Sequence, residues 1–187
     1  VLFTRLGKFE ESLNCFHNVG KAHGYDKRLY GDISVCHSNL GDLESACKYN
    51  KLAGNNNNAN YNKALINLKK GKLFEGWMGY EFGLFNKLRI LRKGYKEYNN
   101  LPNWDPKLHK NSVLLIGEQG IGDELMFSTI IGDLILVVKN VYYLCDYRIR
   151  NILHKRYPSL KFIDINNKEK FSIEAKIPVG SLPKFFR

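Results

Sequence analysis

The sequence predicts a chain of class α + α/β, with helical hairpins in its first half and an incomplete parallel α/β half-domain in its second. Three observations carry this reading. A short Gly-containing motif returns at a near-constant interval over residues 1–86; residues 87–111 collect breakers of helix and strand; and from Ser112 short apolar runs alternate with helical periodicity. The 187 residues, 44% hydrophobic and 25% charged, have the balance of a folded protein and the length for two small domains.

The repeated motif begins as Leu6-Gly7-Lys8-Phe9-Glu10-Glu11-Ser12-Leu13 and returns as Leu40-Gly41-Asp42-Leu43-Glu44-Ser45-Ala46-Cys47, 34 residues on. A third copy, Gly71-Lys72-Leu73-Phe74-Glu75-Gly76-Trp77, follows after 30 more, with the Asn55–Asn58 turn absorbing the shortening. Gly7, Gly41 and Gly71 are expected to end one helix in a left-handed turn. Ser12, Ala46 and Gly76, five residues later, are small enough for two helices to approach closely. Phe16, Val19, Tyr30, Ile33, Ala53 and Leu68 supply an apolar stripe. A 34-residue period of paired helices resembles the tetratricopeptide repeat. The first copy lacks most of its leading helix, and Val1 stands where an initiator Met would, so the chain reads as starting within an array. The aromatic run Phe74 to Phe82 reads as the cap of that array.

Residues 87–111 read as a linker, because Gly94, Asn99-Asn100, Pro102 and Pro106 interrupt both periodicities. Lys87, Arg89, Arg92, Lys93 and Lys96 form a basic run within it. Such a run is either a phosphate-binding face or a solvated linker, and the second is the ordinary reading. Trp104 is expected to be buried in a docked turn.

In residues 112–187, Val113–Ile116, Val141–Cys145 and Lys161–Ile165 read as strands. Helices are expected from Asp123 to about Val138 and from Arg148 to Tyr157, the latter stopped by Pro158. Strand, helix, strand, helix, strand is a parallel, Rossmann-like arrangement, and its small size reads as a truncated domain.

The segment that bears chemistry is Gly117-Glu118-Gln119-Gly120-Ile121-Gly122-Asp123-Glu124, after the first strand and before the first helix. In an open α/β sheet this is the ligand-facing edge. Its glycines are spaced G-x-x-G-x-G rather than as the dinucleotide fingerprint, and no Gly-Lys-Ser/Thr closes it as a phosphate loop. Asp146 is placed as a ribose ligand would be, but Asp123 and Glu124 at the helix start would repel a pyrophosphate. From the residues alone, Asp123 is either a helix cap, the ordinary role of Asp there, or a carboxylate that takes a proton from a hydroxyl.

Composition narrows the partners. The net charge of +11 comes from lysines scattered among Asn-rich stretches, and no nucleic-acid partner is expected. No apolar run is long enough for a transmembrane helix. Cys15, Cys36, Cys47 and Cys145 and the five histidines show no metal-ligand spacing, so no metal is expected and a reducing, cytoplasmic setting is.

Glu118-Gln119-Gly120-Ile121-Gly122-Asp123-Glu124-Leu125-Met126-Phe127 resembles the signature of bacterial tetratricopeptide-repeat glycosyltransferases related to the heptosyltransferases. Gly76-Trp77 with Tyr80-Glu81, Pro102–Asp105, Cys145–Arg148, Arg156–Pro158 and Ile177–Pro183 resemble further landmarks of that family in the same order. The resemblance implies a glycosyltransferase-B fold of which this chain holds the acceptor-facing part. It implies Asp123 as the catalytic base and Glu118, Gln119, Gly120 and Gly122 as the substrate-binding loop. It implies a nucleotide-sugar donor bound by a second half beyond these residues, no other cofactor, and a protein or glycan acceptor held by the repeats. A chain without that second half is expected to be inactive alone. The alternative is a tetratricopeptide interaction module on a degenerate α/β platform.

Overall fold

A computed structural model of the chain describes residues 2–118, 120–164 and 171–187. The chain divides into two compact units, Val1–Leu88 and Arg89–Arg187.

The first unit is helical: α1 (Leu2–Arg5), α2 (Phe9–His23), α3 (Lys27–Asn39), α4 (Leu43–Leu52), α5 (Asn57–Lys69), α6 (Leu73–Tyr80) and α7 (Phe82–Phe85). Three of its turns share one geometry. Gly7, Gly41 and Gly71 have φ of +74°, +85° and +73°. In each turn the next amide donates to the carbonyl five residues back: Lys8 to Phe3, Asp42 to His37 and Lys72 to Asn67, at 2.9, 3.0 and 2.9 Å. This bond satisfies a helix-end carbonyl, and only the left-handed residue lets the chain reach it. The opposite helix ends are capped by side chains: Asp26 accepts from the Leu29 amide, Asp42 from Ser45 and Asn56 from Ala59. Asn57 and Asn58, expected in a turn, therefore open α5.

The small residues lie where the helices touch. Ser12, Ala46 and Gly76 are all buried. A Cβ on Gly76 would meet Leu68 Cγ at 2.6 Å and the Leu68 backbone nitrogen at 3.1 Å. Phe16 of α2 and Leu29, Ile33 and Cys36 of α3 form a buried cluster, with Phe9, Leu13 and Tyr49 packed against it. Val19, expected on the inner stripe, is exposed, as is Cys15. Of the aromatic run, Trp77 and Tyr80 pack edge to face at 5.5 Å and Tyr80 meets Tyr61 of α5, while Phe74 and Met78 are exposed.

The second unit is built on four parallel strands, β1 (Ser112–Ile116), β2 (Asn140–Leu144), β3 (Lys161–Phe162) and β4 (Ala175–Pro178), in the order β3-β2-β1-β4. The order in which strands are added reverses at β1, with β2 and β3 on one side of it and β4 on the other. β1 is buried throughout, as its unbroken apolar run requires. The helices are α8 (Ile121–Ser128), α9 (Ile131–Val137), α10 (Tyr147–Arg156) and the short α11 (Pro183–Phe186). The first helix, expected as one piece to Val138, is two. Ser128 Oγ and Thr129 Oγ1 donate to the carbonyls three residues back, and Tyr157 Oη donates to the Ser128 carbonyl, so the ladder is interrupted there. β4 was not expected as a strand, and β3 is shorter than expected; Ile165, placed in it from sequence, lies outside the described residues.

Most of the segment read as a linker belongs to the second unit's core. Leu91, Tyr95, Tyr98 and Leu101 pack on the sheet face formed by Leu114, Ile116, Tyr142 and Leu144. Trp104 is 5% exposed, its amide donates to the Lys176 carbonyl at 2.8 Å, and its indole N–H donates to the His109 carbonyl at 2.9 Å. Phe185 of α11 meets its ring edge-on at 4.9 Å. No helix among the described residues is long and apolar enough to cross a membrane.

Candidate functional site

The glycine-rich loop leaves the carboxyl end of β1, where the order of strands reverses between β1 and β4. In open parallel sheets that position is a crevice in which ligands bind. Here it is surrounded by carboxylates and arginines whose roles differ sharply.

Glu118 is 3% exposed. Arg89 Nη2 donates to its Oε1 at 2.6 Å, Arg89 Nε reaches both its oxygens at 3.2 Å, and the Gly180 amide donates to Oε1 at 3.0 Å. Arg89 also donates to Ser181 Oγ at 3.2 Å, joining the end of β1 to the turn after β4. Gly180 is needed here: a Cβ on it would strike Glu118 Oε1 and lie 2.8 Å from Arg89 Nη2. A paired, fully hydrogen-bonded carboxylate is the form in which a buried charge is tolerated.

Glu124 is wholly buried. Arg92 Nε donates to its Oε1 at 2.6 Å, and the Asp146 amide donates to its Oε2 at 2.9 Å. Burial raises the Glu124 carboxyl above its ordinary pKa, opposed by the Asp146 amide and by Arg92, both of which favour the charged form. Its partner glycine is Gly117, where a Cβ would strike Glu124 Oε1 and approach the Leu144 carbonyl oxygen to 2.9 Å.

Asp146 caps α10 by accepting from the Arg148 amide at 3.0 Å. The Arg148 guanidinium grips it twice at 2.9 Å, and Arg92 Nη1 stands 3.3 Å from its Oδ2. The Arg148 hydrogen bonds hold its carboxyl well below the ordinary range. Already engaged on its own helix, Asp146 is not a free ribose ligand.

Asp123 is the contrasting case. It is exposed, and it is the third residue of α8, whose N-cap is Gly120 and not Asp123. No hydrogen bond or ion pair joins its side chain to another described residue. Its carboxylate folds back over Gly120, where a Cβ would strike Asp123 Oδ2. Gly122 is exposed within the same turn, and a Cβ on it would meet nothing within 4 Å. Glycine there is required by no neighbour, and it costs about 0.5–1 kcal/mol against alanine in a helix. Of the other loop residues expected from sequence, Gln119 lies outside the described residues.

The sequence reads Arg89 and Arg92 as part of a solvated basic run. Arg89 is instead 4% exposed and the Arg92 side chain 20%. The segment that carries them lies against the loop: Leu91 bridges Glu118 in antiparallel fashion, and the Arg92 amide donates to the Gly117 carbonyl at 2.9 Å. The signal that could have found them is the alternation Leu88-Arg89-Ile90-Leu91-Arg92, which places charges inside an apolar run rather than in a polar one. Among the described residues, no group of three or more His, Cys, Asp or Glu side chains is placed to hold a metal ion.

No family model matches the chain, and neither a curated protein nor a solved structure shows significant similarity to it.

Proposed function

We propose that the second unit is the acceptor-facing part of a sugar-transferring domain of glycosyltransferase-B type, and that Asp123 is its catalytic base. In this reaction an acceptor hydroxyl attacks the anomeric carbon of a nucleotide-sugar. Asp123 takes the hydroxyl proton as the new C–O bond forms, and the nucleoside diphosphate leaves with the electrons of the broken bond. Inversion at the anomeric carbon follows from this single displacement, and it requires no metal in the acceptor half. A second half beyond these residues would hold the donor.

The observation that carries this reading is the division of labour among three loop carboxylates. Glu118 and Glu124 are buried and paired, whereas Asp123 is exposed and, among the described residues, its side chain has no ion-pair partner. Gly122 supports it by leaving open space beside Asp123 for a ligand to approach the backbone. Glu118, Gly120 and Gln119 belong to the same loop; Glu118 shapes it from below, and Gly120 makes room for the Asp123 carboxylate. The motif from Glu118 to Phe127 remains the link to tetratricopeptide-repeat glycosyltransferases.

We read the helix pairs as tetratricopeptide repeats that hold a protein or glycan acceptor, on the strength of the three equivalent glycine turns. The strand order supports a Rossmann-like half-domain. The scattered free cysteines suit a reducing, cytoplasmic setting. The test is transfer of sugar from a nucleotide-sugar by the full-length protein. Asp123→Asn should abolish transfer with the fold intact, and full transfer by this variant would remove Asp123 as the base.

One observation favours a second reading, a protein-interaction module. Between α3 and α5 runs a groove of about 510 Å³ lined by Lys27, Arg28, Asp32, Asn58 and Asn62. On this reading Lys27→Glu with Arg28→Glu abolishes capture of a partner, while the full-length protein turns over no donor sugar.

A further inference from the structure

We propose that Arg92 is the positioning residue of this site: it clamps Glu124 and so fixes the turn of α8 from which Asp123 projects. That the turn serves sugar transfer rests on the function proposed above; the clamp itself rests on geometry alone.

Four contacts place Arg92 at the junction of three elements. Its amide is tied to the Gly117 carbonyl at 2.9 Å, at the end of β1. Its Nε holds Glu124 in α8 at 2.6 Å, its Nη1 faces Asp146 after β2 at 3.3 Å, and its Nη2 donates to the Glu118 carbonyl at 3.3 Å. A planar guanidinium can serve these acceptors at once, and a lysine ammonium cannot reproduce the fork. Glu124 is adjacent to Asp123 and is buried, so it cannot itself meet an acceptor. Its pair with Arg92 is instead a fixed point for the exposed residue beside it. The Asp146 amide completes the clamp by donating to the other oxygen of Glu124 at 2.9 Å. Rigid support of this kind matters because an error of about 1 Å in a reacting group is worth a hundredfold in rate.

The experiment is amide hydrogen exchange on the whole chain, comparing wild type, Arg92→Lys and Arg92→Ala, the last with and without millimolar guanidinium. In Arg92→Ala the amides of Glu124 and Asp146 should exchange roughly ten- to a hundredfold faster, with β1 and β2 unchanged. Arg92→Lys should recover this only in part, and guanidinium should restore Arg92→Ala. Unchanged protection at Glu124 and Asp146, loosening spread evenly over the second unit in both variants, or absence of rescue would overturn the proposal. In the full-length protein Arg92→Ala should lower kcat with KM unchanged, again rescued by guanidinium. If wild-type protein transfers no sugar the transfer reading fails, and the exchange pattern still decides whether Arg92 is the clamp.

Discussion

Arg92 reaches Glu124 across 2.6 Å from a residue 32 positions earlier in the chain, and Glu124 stands directly beside the exposed Asp123. One ion pair thus joins the segment before the sheet to the first turn of the helix that opens the site. The same arrangement recurs with Arg89 and Glu118, 29 positions apart. Together the two pairs turn residues 89–92 into a strap across the carboxyl ends of β1, β2 and β4.

Arg89→Met should destabilise the second unit by about 3–5 kcal/mol, because Glu118 would be left buried without its partner. Replacing both Arg89 and Glu118 by apolar residues should cost much less. Urea denaturation followed in the second unit checks both values.

The strap also sets where the second unit begins. A fragment of residues 89–187 should give dispersed amide NMR signals, whereas residues 112–187 should not, having lost Leu91, Tyr95, Tyr98, Leu101 and Trp104 from the core. Equal dispersion from the two fragments would contradict this.

Much of the helical unit was legible because its determinants are local. Gly7, Gly41 and Gly71 each specify a turn through the backbone freedom of one residue, and Ser12, Ala46 and Gly76 specify contact through size. The strap was not legible, because its partners are far apart in sequence. A basic run looks solvated until Glu118 and Glu124 are brought to it by the fold. β4 was missed for a related reason: Ala175 and Ile177 are buried, but Lys176 and Pro178 between and after them hide so short an alternation. The helix break at Thr129 depends on Tyr157 reaching Ser128, another contact that no local pattern announces. In the site, the Gly117–Glu124 loop was found, while the different fates of its three carboxylates depend on burial.

Gly76→Ala should destabilise the first unit by about 1–3 kcal/mol, since the added methyl meets Leu68 Cγ at 2.6 Å and the Leu68 backbone at 3.1 Å. Thermal unfolding of the first unit measures this.

Gly122→Ala should act in the opposite sense on the fold. With nothing within 4 Å of the new methyl, the second unit should gain up to about 0.5–1 kcal/mol. Transfer by the full-length protein should nevertheless fall. A gain in stability with unchanged transfer would remove Gly122 from the site.

Acid should weaken the second unit through Asp146. Hydrogen bonds from Arg148 lower its folded pKa, so the folded chain binds this proton less readily than the unfolded chain. The stabilising contribution is therefore complete above the unfolded value of about 4 and is lost as pH falls from there through the folded value. In urea midpoints, the gap between wild type and Asp146→Asn should be constant above about pH 5 and narrow below about pH 4. A gap that widens with acid would reverse the sign.

The most direct measurement is the reactivity of the three loop carboxylates toward a water-soluble carbodiimide and an amine, read residue by residue by tandem mass spectrometry. In the folded chain Asp123 should be modified while Glu118 and Glu124 are spared, and in urea all three should react. Protection of Asp123, or modification of Glu118 and Glu124 as fast as Asp123 in the folded chain, would contradict the assignment of Asp123 as the exposed carboxylate of the loop and of Glu118 and Glu124 as its buried ones.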